Sequence, residues 1–165
     1  MSAGLSAPDP LSDGHDTGGF DSGEPVLDEW LRRRARANQG SGASRTYVAR
    51  EGKVVVAYYA LASGAVAQAI VPGRFRRNMP DPIPVVVLAR LAVDRKQQGR
   101  GLGRALFRDA ALRVAHAADT IGIRGIIVHA ISQSARDFYM ALGFEPCASG
   151  PMTLVATLND IRAAL

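Results

Sequence analysis

The run Val85-Val86-Val87-Leu88-Ala89-Arg90-Leu91-Ala92-Val93 is apolar at every position but one. It lacks the alternation of a half-solvated strand and reads as a strand covered on both faces. The hexapeptide Gln98-Gly99-Arg100-Gly101-Leu102-Gly103 follows, and then the period changes. Phe107, Ala110, Ala111, Val114, Ala118 and Ile121 recur at helical spacing and predict one apolar stripe, with Gly122 as its stop.

The same pattern divides the rest of the chain. Leu27, Trp30, Leu31 and Ala35 share one face of a helix that begins near Asp21 or Ser22 and ends before Gly40, while Arg32, Arg33 and Arg36 lie on another. Residues 45–50 and 54–61 are β-branched and aromatic runs joined by Glu51-Gly52, which predicts a hairpin. Residues 71–78 form a connector with three arginines and no period. Residues 123–130 predict a second buried strand, and Ser132 caps a helix over 133–142 that Gly143 stops. Two strands, 144–147 and 152–157, and a helix over 158–165 complete an α/β chain. Gly, Pro, Ser and Asp dominate the start, so residues 1–15 are expected to form a flexible tail and 16–165 a single domain.

Composition narrows the class. A chain of 165 residues with 47% apolar content can bury a sizeable core. No apolar stretch reaches the ~18 residues of a membrane span, and no basic residue in the first 30 supports a secretory leader. The lone Cys147 has no partner for an intrachain disulfide, and a reducing cytoplasm is the expected compartment. Residues 1–30 hold seven of the 15 acids and no base, so the remainder sets all 20 Lys and Arg against eight acids, a net of +12. Eighteen of those 20 bases are arginine, whose planar fork grips phosphate, so a polyanionic partner is permitted.

A buried strand, a glycine turn and a helix N-terminus together bind phosphate: glycines let the backbone approach, and the free N–H groups of the first turn point at the anion. Two nucleotide motifs fail here. The P-loop requires Lys-Ser/Thr after its last glycine, but Arg104-Ala105 follows Gly103. The dinucleotide fold requires an acid about 20 residues on, at the end of a second strand, and Asp119 lies in the helical pattern instead.

With this order of elements, the chain resembles the GNAT superfamily of acetyl-CoA-dependent N-acetyltransferases. Residues 98–103 match its Gln/Arg-x-x-Gly-x-Gly/Ala signature directly after Leu91-Ala92-Val93-Asp94. Ala135-Arg136-Asp137-Phe138-Tyr139-Met140-Ala141-Leu142-Gly143-Phe144 matches its Ala-x-x-Phe-Tyr-x-x-x-Gly-Phe helix. Phe20 with Gly23, Leu27-Asp28 with Trp30-Leu31, Ser44-Arg45-Thr46-Tyr47-Val48 and Val128-His129-Ala130 resemble the GNAT toxins of bacterial type II toxin–antitoxin modules. Ser22 departs from that pattern, which often has cysteine there.

The resemblance implies a GNAT fold: a mixed, mostly antiparallel sheet of about six to seven strands, splayed at the acetyl-CoA site and flanked by about four helices. It implies acetyl-CoA as donor; no cluster of Cys, His and acids stands at metal-ligand spacing, so no metal is expected. Leu91, Ala92, Val93, Gln98, Gly99, Arg100, Gly101, Leu102, Gly103 and Arg104 are the expected cofactor contacts, and Tyr139 the expected general acid. Aminoacyl-tRNA is the implied acceptor, modified on its free α-amine so that translation stops. A ribbon-helix-helix antitoxin encoded nearby and a homodimer are the implied partners.

Arg33, Arg36, Arg74, Arg76, Arg77 and Arg90 are the arginines selected as a phosphate-gripping surface. No base for the amine proton is singled out; His129 ends a strand, while His116 and His15 are poorly placed. Two alternatives stay open: an acetyltransferase for a small amine or a protein N-terminus, and a non-catalytic DNA-binding co-repressor working with an antitoxin.

Overall fold

The protein is described by a computed structural model over residues 4–165. In chain order the elements are β1 (Asp9–Pro10), α1 (Pro25–Arg33), α2 (Ala35–Ser41), β2 (Arg45–Glu51), β3 (Val54–Val66), α3 (Gly73–Arg76), β4 (Ile83–Val93), α4 (Leu102–Ala117), β5 (Gly125–His129), α5 (Gln133–Ala141), β6 (Glu145–Cys147), β7 (Gly150–Thr157) and α6 (Leu158–Ala164). The strands hydrogen-bond in the order β1-β2-β3-β4-β5-β7-β6. β4 and β5 are parallel, whereas β1–β2, β2–β3, β5–β7 and β6–β7 are antiparallel. Two compact units are distinguished: the chain up to Ala62 with Ala89–Ala110, and Ser63–Leu88 with Ala111–Leu165.

In the first unit, α1 lays Leu27 and Leu31 onto a core of Phe20, Val48, Val55, Tyr58 and Ala92. Each fully buried leucine contributes about 1.5–3 kcal/mol relative to exposure. The Tyr58 hydroxyl donates to the Leu27 carbonyl at 2.7 Å, while Trp30 stacks on its ring at 6.0 Å and Phe20 meets it edge-on at 5.6 Å. The helix expected from Asp21 or Ser22 begins instead after Glu24, with Pro25 at its first position. It breaks at Arg34 and resumes as α2, which ends at the left-handed Gly42 rather than at Gly40.

The expected tail is anchored in part. Asp9 and Pro10 pair with Val48 and Tyr47, the Ser6 amide donates to the Arg50 carbonyl, and Leu11 is buried. Composition misleads here because the open edge of β2 offers a ladder, and that partner is remote in sequence.

In the second unit, Val85–Leu88 of β4 pairs with Gly125–Val128 of β5, and β7 covers the other edge of β5. Gly125 faces the Ala156 backbone so closely that a Cβ would overlap the Ala156 carbonyl. Val66, Val71, Phe75, Ile83, Val85, Ile127, Cys147 and Val155 form the core, and burial pushes the Cys147 thiol up from its ordinary pKa. The basic connector folds into a helical turn, α3, because Phe75 inserts into this core. α4 stops at Ala117, short of Gly122, and Ile121 is 65% exposed rather than part of the apolar stripe.

Candidate active site

The first unit holds the glycine turn. Asp94 leaves β4 and accepts from the Lys96 amide at 3.0 Å, capping a 3-10 turn over Arg95–Gln97. The chain then passes Gly99 at φ +80° and Gly101 at φ +77° before α4 begins. L side chains rarely adopt that conformation, which is why these two positions are glycine. An added Cβ at either would meet nothing within 4 Å, so backbone, not crowding, sets the requirement.

The first bond of α4 runs from the Ala105 amide to the Gly101 carbonyl at 3.1 Å. The amides of Leu102, Gly103 and Arg104 therefore have no carbonyl a turn before them. The helix runs for 16 residues, so its N-terminal partial charge adds to those donors. Arg100 and Arg104 are exposed beside the turn, with Arg100 holding the Gln97 amide oxygen at 3.3 Å. An anion fits this donor set.

Preceding the turn, residues 89–93 of β4 run on beyond the ladder with β5, which ends at Leu88 opposite Val128. Ala92 is buried in the core beside Tyr58, while Leu91 and Val93, on the opposite face, are half-buried.

The second unit holds Tyr139, on α5. Ser132 starts this helix by accepting from the Ala135 amide at 3.1 Å, and Gly143 follows its end at φ +99°. Tyr139 is 8% exposed, between Phe138 at 5.2 Å and Phe144 at 5.4 Å, both edge-on. Burial raises its hydroxyl above the ordinary phenol range, so the proton stays on the oxygen at neutral pH. His129, at the exposed end of β5, pairs through Nδ1 with the Thr153 hydroxyl at 3.2 Å across the ladder to β7.

The six selected arginines are placed very differently. Arg36 donates to the carbonyls of His15 and Ser12 and lies 3.9 Å from Asp13, tying residues 12–17 to α2. Arg74 is bound by Glu145 at 2.6 Å and Asp160 at 2.7 Å, and Arg76 donates to the Val71 carbonyl at 2.7 Å. Arg90 stacks 5.0 Å over the Trp30 ring and donates to its neighbour's carbonyl at Ala89. Arg33, on the last turn of α1, and Arg77, after α3, are exposed. Sequence patterning cannot separate these cases, because the partners of Arg36 and Arg74 lie far along the chain. The buried Asp28 carboxylate accepts from the amide and hydroxyl of Ser22, six residues before it.

In the first unit a strand runs past its ladder into a glycine turn and a helix N-terminus suited to an anion, and in the second α5 carries a tyrosine that keeps its proton at neutral pH. The profile of the acetyltransferase (GNAT) domain matches residues 42–146, and the chain belongs to that family. It is 54% identical over 164 residues to the tRNA-acetylating toxin of Mycobacterium tuberculosis, covering 99% of this chain and 98% of that one. Among solved structures, a tyrosine-to-phenylalanine mutant of KacT superposes with a TM-score of 0.90 at 25% identity, covering 98% of this chain and 99% of that one. AtaT complexed with acetyl-methionyl-tRNAfMet superposes at 0.88 with 29% identity, covering 96% and 98%. AtaTR has also been solved with acetyl-CoA, and mutant AtaT with the C-terminus of the antitoxin AtaR.

Proposed function

We propose that this acetyltransferase is a toxin that moves the acetyl group of acetyl-CoA onto the α-amine of an aminoacyl-tRNA and so blocks translation. The observation that carries the reading is the 54% identity, across 99% of the chain, to a tRNA-acetylating toxin. The net charge of +12 beyond residue 30 supports an anionic acceptor rather than a small cationic amine.

The residues divide the work as follows. The amides of residues 99–104, with Arg100 or Arg104, hold the diphosphate. The backbone of Leu91, Ala92 and Val93 pairs with the pantetheine arm, and the Val93 N–H polarises the carbonyl about to be attacked. Acetyl-CoA supplies an activated acyl group: the amine nitrogen replaces sulfur on the carbonyl carbon, one C–N bond forming as one C–S bond breaks. Tyr139 donates its hydroxyl proton to the departing thiolate and is reprotonated by the proton that the attacking nitrogen sheds as the amide forms; its retained proton at neutral pH supports that role. An α-amine next to an ester is weakly basic, so a proportion is neutral without a dedicated base.

Arg33 and Arg77, exposed and outside the ion pairs that engage Arg36 and Arg74, are the selected arginines best suited to grip tRNA phosphates. The partner that neutralises the enzyme is an antitoxin, proposed to be of ribbon-helix-helix type, and the enzyme itself is proposed to be a homodimer. Among the described residues no helix is long and apolar enough to cross a membrane, and cytoplasmic action is part of the proposal.

Induced expression tests it. Growth should stop with the native chain, continue with Tyr139→Phe, and resume when the neighbouring antitoxin gene is co-expressed. Arrest by Tyr139→Phe equal to that of the native chain would refute the catalytic assignment.

A further inference from the structure

In the first unit the glycine turn is fastened to one remote turn, residues 21–23, and that turn is itself built on a buried carboxylate. The Gln98 side-chain amide donates to the Ser22 carbonyl at 2.9 Å and to the Val93 carbonyl at 2.8 Å. Asp21 reaches the same stretch three times: its amide donates to Asp94 Oδ2 at 3.0 Å, its carbonyl accepts from the Arg95 amide at 2.9 Å, and its carboxylate accepts from Arg95 Nε at 3.2 Å. The residues just before Gly99 thus have little freedom of their own.

The 21–23 turn is held from beneath by Asp28. This residue is 5% exposed on the buried side of α1, yet among the described residues it has no ion-pair partner. Its Oδ1 accepts from the Ser22 amide at 3.0 Å and from the Ser22 hydroxyl at 2.6 Å. The Ser22 oxygen then accepts from the Glu24 amide at 3.2 Å, and the Asp21 carboxylate from the Gly23 amide at 3.0 Å. Burying a carboxylate is costly unless hydrogen bonds offset it. Asp28 lies in the first turn of α1, makes no side-chain bond to the Glu24 cap, and instead reaches back to Ser22.

We infer that Asp28 is a positioning residue for acetyl-CoA: through Ser22 and Gln98 it fixes the start of the 98–103 turn in the shape that receives the diphosphate. Pre-ordering the turn removes from binding the conformational entropy cost of fixing its backbone. The inference rests on the proposed diphosphate role of residues 98–103. It adds a buried helix residue, remote from the ligand, that governs donor affinity and not the chemical step.

The test measures steady-state acetyl transfer with two donors, acetyl-CoA and S-acetylpantetheine, which lacks the diphosphate. Asp28→Ala should raise KM for acetyl-CoA at least tenfold, leave kcat within threefold, and leave kcat/KM with S-acetylpantetheine within threefold. Asp28→Asn keeps an Oδ1 acceptor and should restore most of the affinity. Gln98→Leu cuts the same strut at the surface without disturbing the core, and should repeat the tenfold KM effect if Asp28→Ala does not fold. Gly101→Val is the control on the underlying reading: if it leaves KM for acetyl-CoA unchanged, the diphosphate assignment fails. If Gly101→Val raises KM but Asp28→Ala and Gln98→Leu do not, the assignment stands and the strut is refuted. Equal losses with both donors would likewise refute it, since they mark a general structural defect.

Discussion

In the proposed mechanism Tyr139 carries the proton chemistry, and its environment yields two expectations. Replacing it with phenylalanine keeps the ring between Phe138 and Phe144 while removing the hydroxyl proposed to protonate the thiolate. Rapid-quench or steady-state assays should show kcat lower by about 100- to 10,000-fold, the usual worth of a positioned acid, with the thermal midpoint little changed. The raised pKa fixes a sign as well. Above about pH 10 the unfolded chain loses the phenolic proton while the native chain keeps it. Native stability therefore falls as pH rises past that point, and Tyr139→Phe should fall less steeply in denaturant titrations at high pH.

At the scale of elements, the ion pairs between Arg74 of α3, Glu145 of β6 and Asp160 of α6 make a second pH expectation. Arg74, first, and the Thr157 cap hold the Asp160 carboxyl below its ordinary pKa against the opposing effect of burial. The stability this contributes is present above the ordinary carboxylate pKa and is lost as pH falls through the lowered value. Melting curves should thus show native protein above Asp160→Asn near neutrality and the two converging in acid. Gly125→Ala presses a methyl group onto the Ala156 carbonyl and should destabilise the fold by about 1–3 kcal/mol in urea titrations, as overpacking does.

The same scale shows what sequence could and could not disclose. β4, its glycine turn and α5 with its Ser132 start and Gly143 stop were legible because their signals are local: an apolar run, a period, a cap. β1 was not, since two residues of a Gly- and Pro-rich segment become a strand only by borrowing the edge of β2. The turn from Asp94 to Gly103 could be read as a candidate anion site, whereas its fastening to Asp21 and Ser22 could not, because those residues are more than 70 positions away. Arg74 and Arg77 look alike in sequence; only the folded chain gives Arg74 two carboxylates.

For the molecule as a whole, the account depends on an acetyltransferase whose acceptor is a charged tRNA. A basic surface gripping phosphates releases counterions, so KM for tRNA should rise about tenfold or more between ~50 and ~200 mM salt. The most direct measurement incubates the protein with radiolabelled acetyl-CoA and a total tRNA pool, either aminoacylated or deacylated beforehand. The account predicts label in the tRNA fraction of the aminoacylated pool alone, released when the aminoacyl ester is hydrolysed and absent with Tyr139→Phe. No label in charged tRNA from native protein that still consumes acetyl-CoA with another amine would contradict it.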